Sequence, residues 1–263
     1  MGADITTTDG GRAGGLSAAD SLALARLFQL VSPALPIGGF AYSEALEYAV
    51  EAGWVTDEAD TQAWVLGRLD DNVGRLDAPI FARLWRVFRD ARVARDAGDV
   101  GGGDGAGGAA AAELPPRALE WSRLLWALRE SAELRAADRD MGRSLARLLV
   151  ALGVAAAAPW VEHPQVSYAA VFALAAVERD IALVPAMCGF LYAWSEAQVV
   201  AAVKLVPLGQ SAGQRVLVAV GERLPAVVER ALGLPDDELG AGAPGLAIAS
   251  SQHETMYVRL FRS

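Results

Sequence analysis

Two histidines (His163 and His253), one cysteine (Cys188) and one lysine (Lys204) are the entire supply of imidazole, thiol and side-chain amine in this 263-residue chain. A Cys/His zinc cluster needs four such ligands, and three cannot supply it. A lone cysteine permits no internal disulfide. Lys204 follows Ala201-Ala202-Val203 rather than a glycine-rich turn, so the phosphate loop of nucleotidases is absent. His253-Glu254 begins the zincin pattern H-E-x-x-H, but Tyr257 stands where the second histidine belongs. His163-Pro164 falls in a loop between helices, where a helix-cap or surface histidine is the plain reading. Cys188 lies among alanine, methionine and phenylalanine, the setting of a buried, inert thiol. Ser195-Glu196 and the scattered aspartates form no nucleophile–base set that two histidines could serve. These residues call for no catalysis and no cofactor of the chain's own.

The elements that would position such residues are helical. The chain holds 53 alanines, and Val, Ile and Thr are not concentrated into alternating runs. This predicts an all-α fold: one helical-bundle domain of about nine or ten helices. The 32 acidic residues against 23 basic ones give a net charge of -9, which excludes a typical nucleic-acid binder. Of the 22 arginines, 14 lie between Arg68 and Arg147, and their helical spacing with interleaved acids reads as solvated helix faces. Ile181 to Val203 is long enough to span a bilayer. It contains Pro185, Ser195, Glu196 and Gln198, however, so a buried core helix is the expectation, with no membrane partner. Residues 1–16 carry no apolar stretch and read as a disordered N-terminus rather than a signal peptide, which points to the cytoplasm.

Along the chain, Ser17 with Asp20 three positions on is a candidate N-cap for a helix ended by Pro33. A second helix is expected over Ala41–Ala52, a third capped by Thr56, and a fourth opening at Asp77. Residues 98–112 are nearly all glycine and alanine and read as a flexible insertion. Pro115-Pro116 suits the start of a long helical stretch through Trp121 and Leu134, followed by another from Asp138 to Leu152. Apolar helices are expected over Gln165–Arg179 and Ala182–Val206, and another over Ser211–Leu232. The helical domain thus covers 17–240, and 241–263 is expected to form a tail without helical pattern.

Two stretches stand out. Residues 32–47 read Ser-Pro-Ala-Leu-Pro-Ile-Gly-Gly-Phe-Ala-Tyr-Ser-Glu-Ala-Leu-Glu. Two prolines fix φ, and Gly38-Gly39 supply freedom, as in a rigid interhelical loop. In the tail, Met256, Tyr257, Val258, Leu260 and Phe261 alternate with Arg259 and Arg262, and aromatic residues and arginine are typical of interface hot spots. Such a tail folds back on its own domain or docks outward, and its residue types do not decide between the two.

Residues 32–47, with Ala52-Gly53-Trp54-Val55, resemble the N-terminal signature of the UreF family of urease accessory proteins. Lys204 to Gln210 with Gly213-Gln214-Arg215 resembles that family's central signature. His253-Glu254, Tyr257 and Arg259 to Ser263 resemble its C-terminal tail. Ser251-Gln252 depart from the pattern, which has a bulkier or basic residue there. The resemblance covers about Leu22 to Ser263, apart from the 98–112 insertion.

It implies an all-helical homodimer acting as a non-enzymatic, chaperone-like scaffold. Such a scaffold works with the accessory protein UreD (UreH) and the GTPase UreG to deliver nickel to apo-urease. Nickel and GTP would then belong to the partners. By resemblance, Pro33, Pro36, Gly38, Phe40, Tyr42, Ser43 and Glu44 shape an N-terminal recognition element. Lys204, Gln210 and Gln214 lie at a surface that meets the GTPase or stabilises the fold. His253, Glu254, Tyr257, Arg259, Leu260, Phe261 and Arg262 carry the partner contact of a tail that docks outward and orders on binding. Two other readings compete. One is a helical-bundle enzyme using carboxylates and arginines. The other is a nickel carrier binding through His163 or His253 and a carboxylate.

Overall fold

Between Tyr168 and Val177 there is no charged residue, and a helix apolar all round is stable only when surrounded. In the computed structural model, which describes residues 16–99, 113–240 and 242–263, each of those ten side chains is buried. Ten α-helices are present among the described residues, with no strand. They are α1 (Ala18–Val31), α2 (Leu46–Glu51), α3 (Glu58–Arg68), α4 (Asp77–Asp99), α5 (Pro116–Leu128), α6 (Ala132–Ala151), α7 (Tyr168–Glu178), α8 (Leu183–Leu205), α9 (Gln210–Gly233) and α10 (Pro244–His253). The fold is a single all-α domain. α7 is its axis, packed by α4 and α6, while α8 lies against α1, α2 and α9. Phe81 (α4), Tyr168 and Phe172 (α7) and Phe190 (α8) stack edge-on or tilted, with centroids 5.0–5.9 Å apart.

Polar side chains fix where several of the helices start. Ser17 and Asp20 form the expected reciprocal capping box on α1. The start of α7 is held doubly. Ser167 caps it from within, and the carboxylate of Asp138 on α6 accepts the Tyr168 N–H at 2.9 Å. α6 approaches so closely there that a Cβ on Gly142 would sit 2.9 Å from the Ser167 carbonyl carbon. α8 is the one helix among the described residues long and apolar enough to cross a membrane, and half of its most apolar window is buried inside the protein. Its Ser195 and Gln198 are buried and hydrogen-bonded within the fold.

Several expected boundaries moved, each for a physical reason. The second helix was expected to begin at Ala41. Instead a 3-10 turn over Gly39–Ala41 is followed by extended backbone, and α2 starts only at Leu46. Glu44 and Ala45 intervene with φ of 48° and 71°, left-handed values that cost a non-glycine residue of order 1 kcal/mol or more. The third helix is capped by Asp57, one residue after Thr56, which bonds Asp60 instead. The long stretch after Pro115 breaks at Arg129–Ser131, where Ser131 caps α6. Pro225 leaves α9 continuous from Gln210 to Gly233. Helix α10 lies inside the segment expected to be a non-helical tail. Glycine and proline around it mask a single turn-and-a-half of apolar positions, and its Leu246 and Ala249 pack on Ala45 and Leu134. The expected disordered terminus and flexible insertion fall outside the described residues, save for Leu16 and for Gly98 and Asp99, which end α4.

Phe172 is fully buried in the aromatic cluster, so Phe172→Ala should cost about 3–5 kcal/mol of unfolding free energy, measured by urea denaturation. Gly142→Ala should also destabilise, because the Ser167 main chain cannot yield as a side chain can. A wild-type midpoint for either variant contradicts this packing.

Candidate functional site

The three stretches picked out in the sequence meet at one end of the molecule, held by a buried carboxylate. Glu47 sits on α2, and its side chain turns inward because Leu46 and Ala49 draw that face of the short helix onto α8. Glu47 Oε1 accepts the Leu260 N–H at 2.6 Å, and Oε2 accepts the Phe261 N–H at 3.0 Å. The same Oε2 lies 3.2 Å from His253 Nε2. His253, at the end of α10, is fully buried, and its Nδ1 is 2.6 Å from Glu133 on α6. Glu133 also pairs with Arg259 at 2.5 Å.

Beyond this clasp the tail lies along the N-terminal stretch and bonds its main chain. The Arg262 N–H bonds the Ala41 carbonyl at 2.8 Å, and the Ser43 N–H and hydroxyl both donate to the Ser263 main-chain oxygen, at 2.7 and 2.6 Å. Phe261 fills a satellite core with Leu46, Ala49, Val55, Ala201, Ala202 and Val206. The ammonium of Lys204, at the end of α8, stands 5.6 Å from the Phe261 ring centroid.

This changes the expectation for the tail. His253 and Phe261, expected to face a partner, are buried in their own chain, and the tail folds back rather than standing free. A residue pinned at both ends of a strap cannot also reach outward. What the strap leaves outside is Tyr257, fully exposed, with Val258 and Leu260, 73% and 66% exposed. Glu254, Arg259 and Arg262 are exposed around them, and so are Lys204, Gln210 and Gln214 to one side. Of the N-terminal residues, Pro33, Pro36 and Gly38 are exposed, Phe40 is half-buried, and Tyr42 and Ser43 are buried.

Glu44 leads away from the clasp into the protein. Its left-handed backbone aims the carboxylate at Arg68, 2.6 Å away, and at the Trp194 indole N–H at 3.0 Å. Arg68 lies over the Trp194 ring and donates to Gln198 at 3.1 Å. Farther along, Arg129 grips Asp77 at 2.5 and 3.0 Å and reaches Asp138 at 3.5 Å. Both networks line a cavity of about 90 Å³, whose lining also includes the apolar residues Leu35, Ile37 and Phe40. Burial pushes the Glu44 carboxyl up, but Arg68 and the indole outweigh it and hold it below the usual range. For Asp138, burial wins. The charge of Asp77 adds to it, Arg129 and the Tyr168 N–H offset it only partly, and its pKa is raised.

Sequence reasoning missed Glu47, Glu133, Arg68, Arg129, Asp77 and Asp138. Only Glu47 carried a local signal: it follows Ser43 by four residues, on the same face of the turn. The two histidines are far apart in role. His163 is half-buried in its loop, stacks edge-on against Trp160 and accepts the Gln165 N–H through Nδ1. Among the described residues, no three His, Cys, Asp or Glu side chains are grouped so as to hold a metal ion.

Two outcomes follow from this geometry. Glu47→Ala strands two main-chain N–H groups and the imidazole, and should cost roughly 3 kcal/mol. The milder Glu47→Gln should speed tryptic cleavage after Arg259 and Arg262, and equal cleavage rates would show that the carboxylate does not hold the strap. Second, the lowered Glu44 pKa contributes stability that is present above the ordinary carboxylate pKa, near 4.3, and is lost as pH falls through its folded value. Asp138, being raised, has the opposite sign. Its contribution is fullest in acid and falls as pH rises through its folded value. Glu44→Gln should therefore flatten the acid-side fall of Tm, and Asp138→Asn should remove a loss of stability on raising the pH out of acid.

The comparisons with known proteins agree with the motifs. The UreF family profile matches residues 55–221. The chain is 43% identical over 242 residues to urease accessory protein UreF of Alkalilimnicola ehrlichii, covering 92% of this chain and 96% of that one. It is 45% identical over 242 residues to the protein of that name from Pseudomonas putida, covering 92% and 98%. It is 44% identical over 240 residues to that of Teredinibacter turnerae, covering 91% and 98%. By the extent of the profile match, and by relatives this similar over nearly their whole length, the chain belongs to the UreF family.

Proposed function

We propose that this chain is a non-enzymatic assembly factor in the maturation of urease, working by holding partner proteins rather than by chemistry of its own. Membership of a family of urease accessory proteins supports the role in maturation. The observation that carries the mode of action is the strap. A buried carboxylate and a buried histidine are spent on presenting three apolar side chains, Tyr257, Val258 and Leu260, to solvent. Apolar residues held in a fixed, exposed turn bind with little further loss of conformational entropy, as a docking element requires. His253 is occupied on both ring nitrogens by carboxylates, which favours a structural role for it over that of a nickel carrier.

In this reading the strap docks the accessory protein UreD (UreH). The edge bearing Lys204, Gln210 and Gln214 meets the GTPase UreG, and apo-urease is engaged through the assembled complex. Nickel and GTP enter on those partners, the chain works as a homodimer, and the assembly is cytoplasmic.

The test is co-purification with UreD after Tyr257→Asp and Leu260→Asp, which charge the displayed face but leave Glu47, His253 and Phe261 untouched. Loss of UreD with unchanged helical circular dichroism is the expected result. Undiminished recovery of UreD would remove the strap from the interface. Lys204→Ala separates the two faces: it should weaken UreG recruitment while UreD still co-purifies.

A further inference from the structure

Among the described residues 13 arginines are in ion pairs and eight are not, and three of those eight stand at one place. Arg143 and Arg147 stand one turn apart on α6, and Arg262 comes from the strap. None of the three is in an ion pair among the described residues. Together they line a cleft of about 490 Å³ between α6 and the 36–38 backbone, a volume in the range of small-molecule sites.

Two hydroxyls join them. Ser144 lies 3.5 Å from the Arg147 guanidinium, and Tyr42 lines the same cleft. The Arg143 Nε is shut off from solvent and has no partner. One carboxylate, Asp140, reaches the cleft, and it is already engaged by Arg139 at 3.1 Å. Like charges at i and i+4 repel, so this arrangement costs stability unless an anion offsets it. The strap's main-chain bond to Ala41 nevertheless delivers Arg262 to the same place.

We propose that this cleft is a phosphoryl-binding site: Arg143, Arg147 and Arg262 take the oxygens of a phosphate group, with Tyr42 and Ser144 as neutral hydrogen-bond partners. Planar guanidinium forks converging from two elements suit an oxyanion with three free oxygens, each fork donating two N–H groups. Concavity favours this ligand over an acidic protein segment, which a flat or convex basic face would serve as well. The phosphoryl group can be free inorganic phosphate or one carried on a nucleotide-sized molecule, for which the cleft has room. This does not rest on the docking role, since the site is complete within one chain.

Calorimetric titration of the full-length protein, at constant ionic strength in chloride, tests it with inorganic phosphate and with adenosine monophosphate as separate probes. Saturable binding of phosphate is expected, weakened at least tenfold by Arg147→Gln, an exposed position whose loss should not disturb folding. Arg147→Lys should weaken it less. Tighter binding of the nucleotide would assign the site to phosphate carried on an organic group, and equal binding to free phosphate. Either result sustains the proposal. Phosphate heats no larger than those of chloride, or affinity unchanged in both Arg147→Gln and the Arg143→Gln/Arg147→Gln double variant, would overturn it. So would binding of a glutamate-rich peptide by a protein that ignores phosphate.

Discussion

The carboxylate of Glu47 is nearly inaccessible to water, and stripping a charged group of its hydration is tolerable only if the protein returns equivalent hydrogen bonds. It receives them from two successive main-chain N–H groups of the tail and from an imidazole. That requirement fixes much else. The tail must come back past α2, so Phe261 reaches a core lined by α2 and α8, and α10 must end where His253 can bridge Glu47 to Glu133. Ser43 can then close the structure on Ser263, some 220 positions away in the chain. Two ends of the sequence with no shared periodicity become one surface through a single buried acid.

The adjoining turn carries the cost of this arrangement. Glu44 and Ala45 both adopt left-handed backbone, where neither residue type is at ease, yet the turn is over-determined. Glu44 is clamped by Arg68 and Trp194, Ala45 is packed under α10, and Ser43 and Glu47 are tied to the tail on either side. Moving any one of these residues toward a relaxed conformation would withdraw another from its partners. Strain at this turn and order in the strap are therefore two sides of the same set of contacts.

Much of the fold was legible in the sequence because it follows from local rules. The Ser17 box, the apolar runs of α7 and α8 and the reach of α9 all appear within a few residues of where periodicity and capping put them. What was not legible depends on distant partners. The break before α6 coincides with Arg129, which turns out of the helical path to meet Asp77 and Asp138. α10 is too short and too rich in glycine and proline around it to announce itself, and it is stabilised by packing on Ala45 and Leu134. At the site, the three signature stretches were visible as stretches, but their meeting was not. Nor was the burial of His253 and Phe261, since residue types that favour interfaces also favour cores. Glu133 and Arg68 sit in ordinary helical charge patterns, and nothing in their own neighbourhoods marks them as partners of the ends.

Buried ion pairs are a poor way to gain stability, because desolvation offsets most of the attraction and apolar replacements often do as well. Two such networks nonetheless lie beneath the N-terminal stretch, with the Nε of Arg68 and of Arg129 left buried and unpartnered. Their value here lies in direction rather than in energy. An apolar contact is indifferent to small rotations, whereas a guanidinium held by Glu44, Gln198 and the face of Trp194 holds the turn at one angle. That angle sets where Ser43 and Glu47 stand, and they set where the strap stands. A protein whose work is to present a surface must fix the position of that surface, and directional polar contacts in the interior do so from behind.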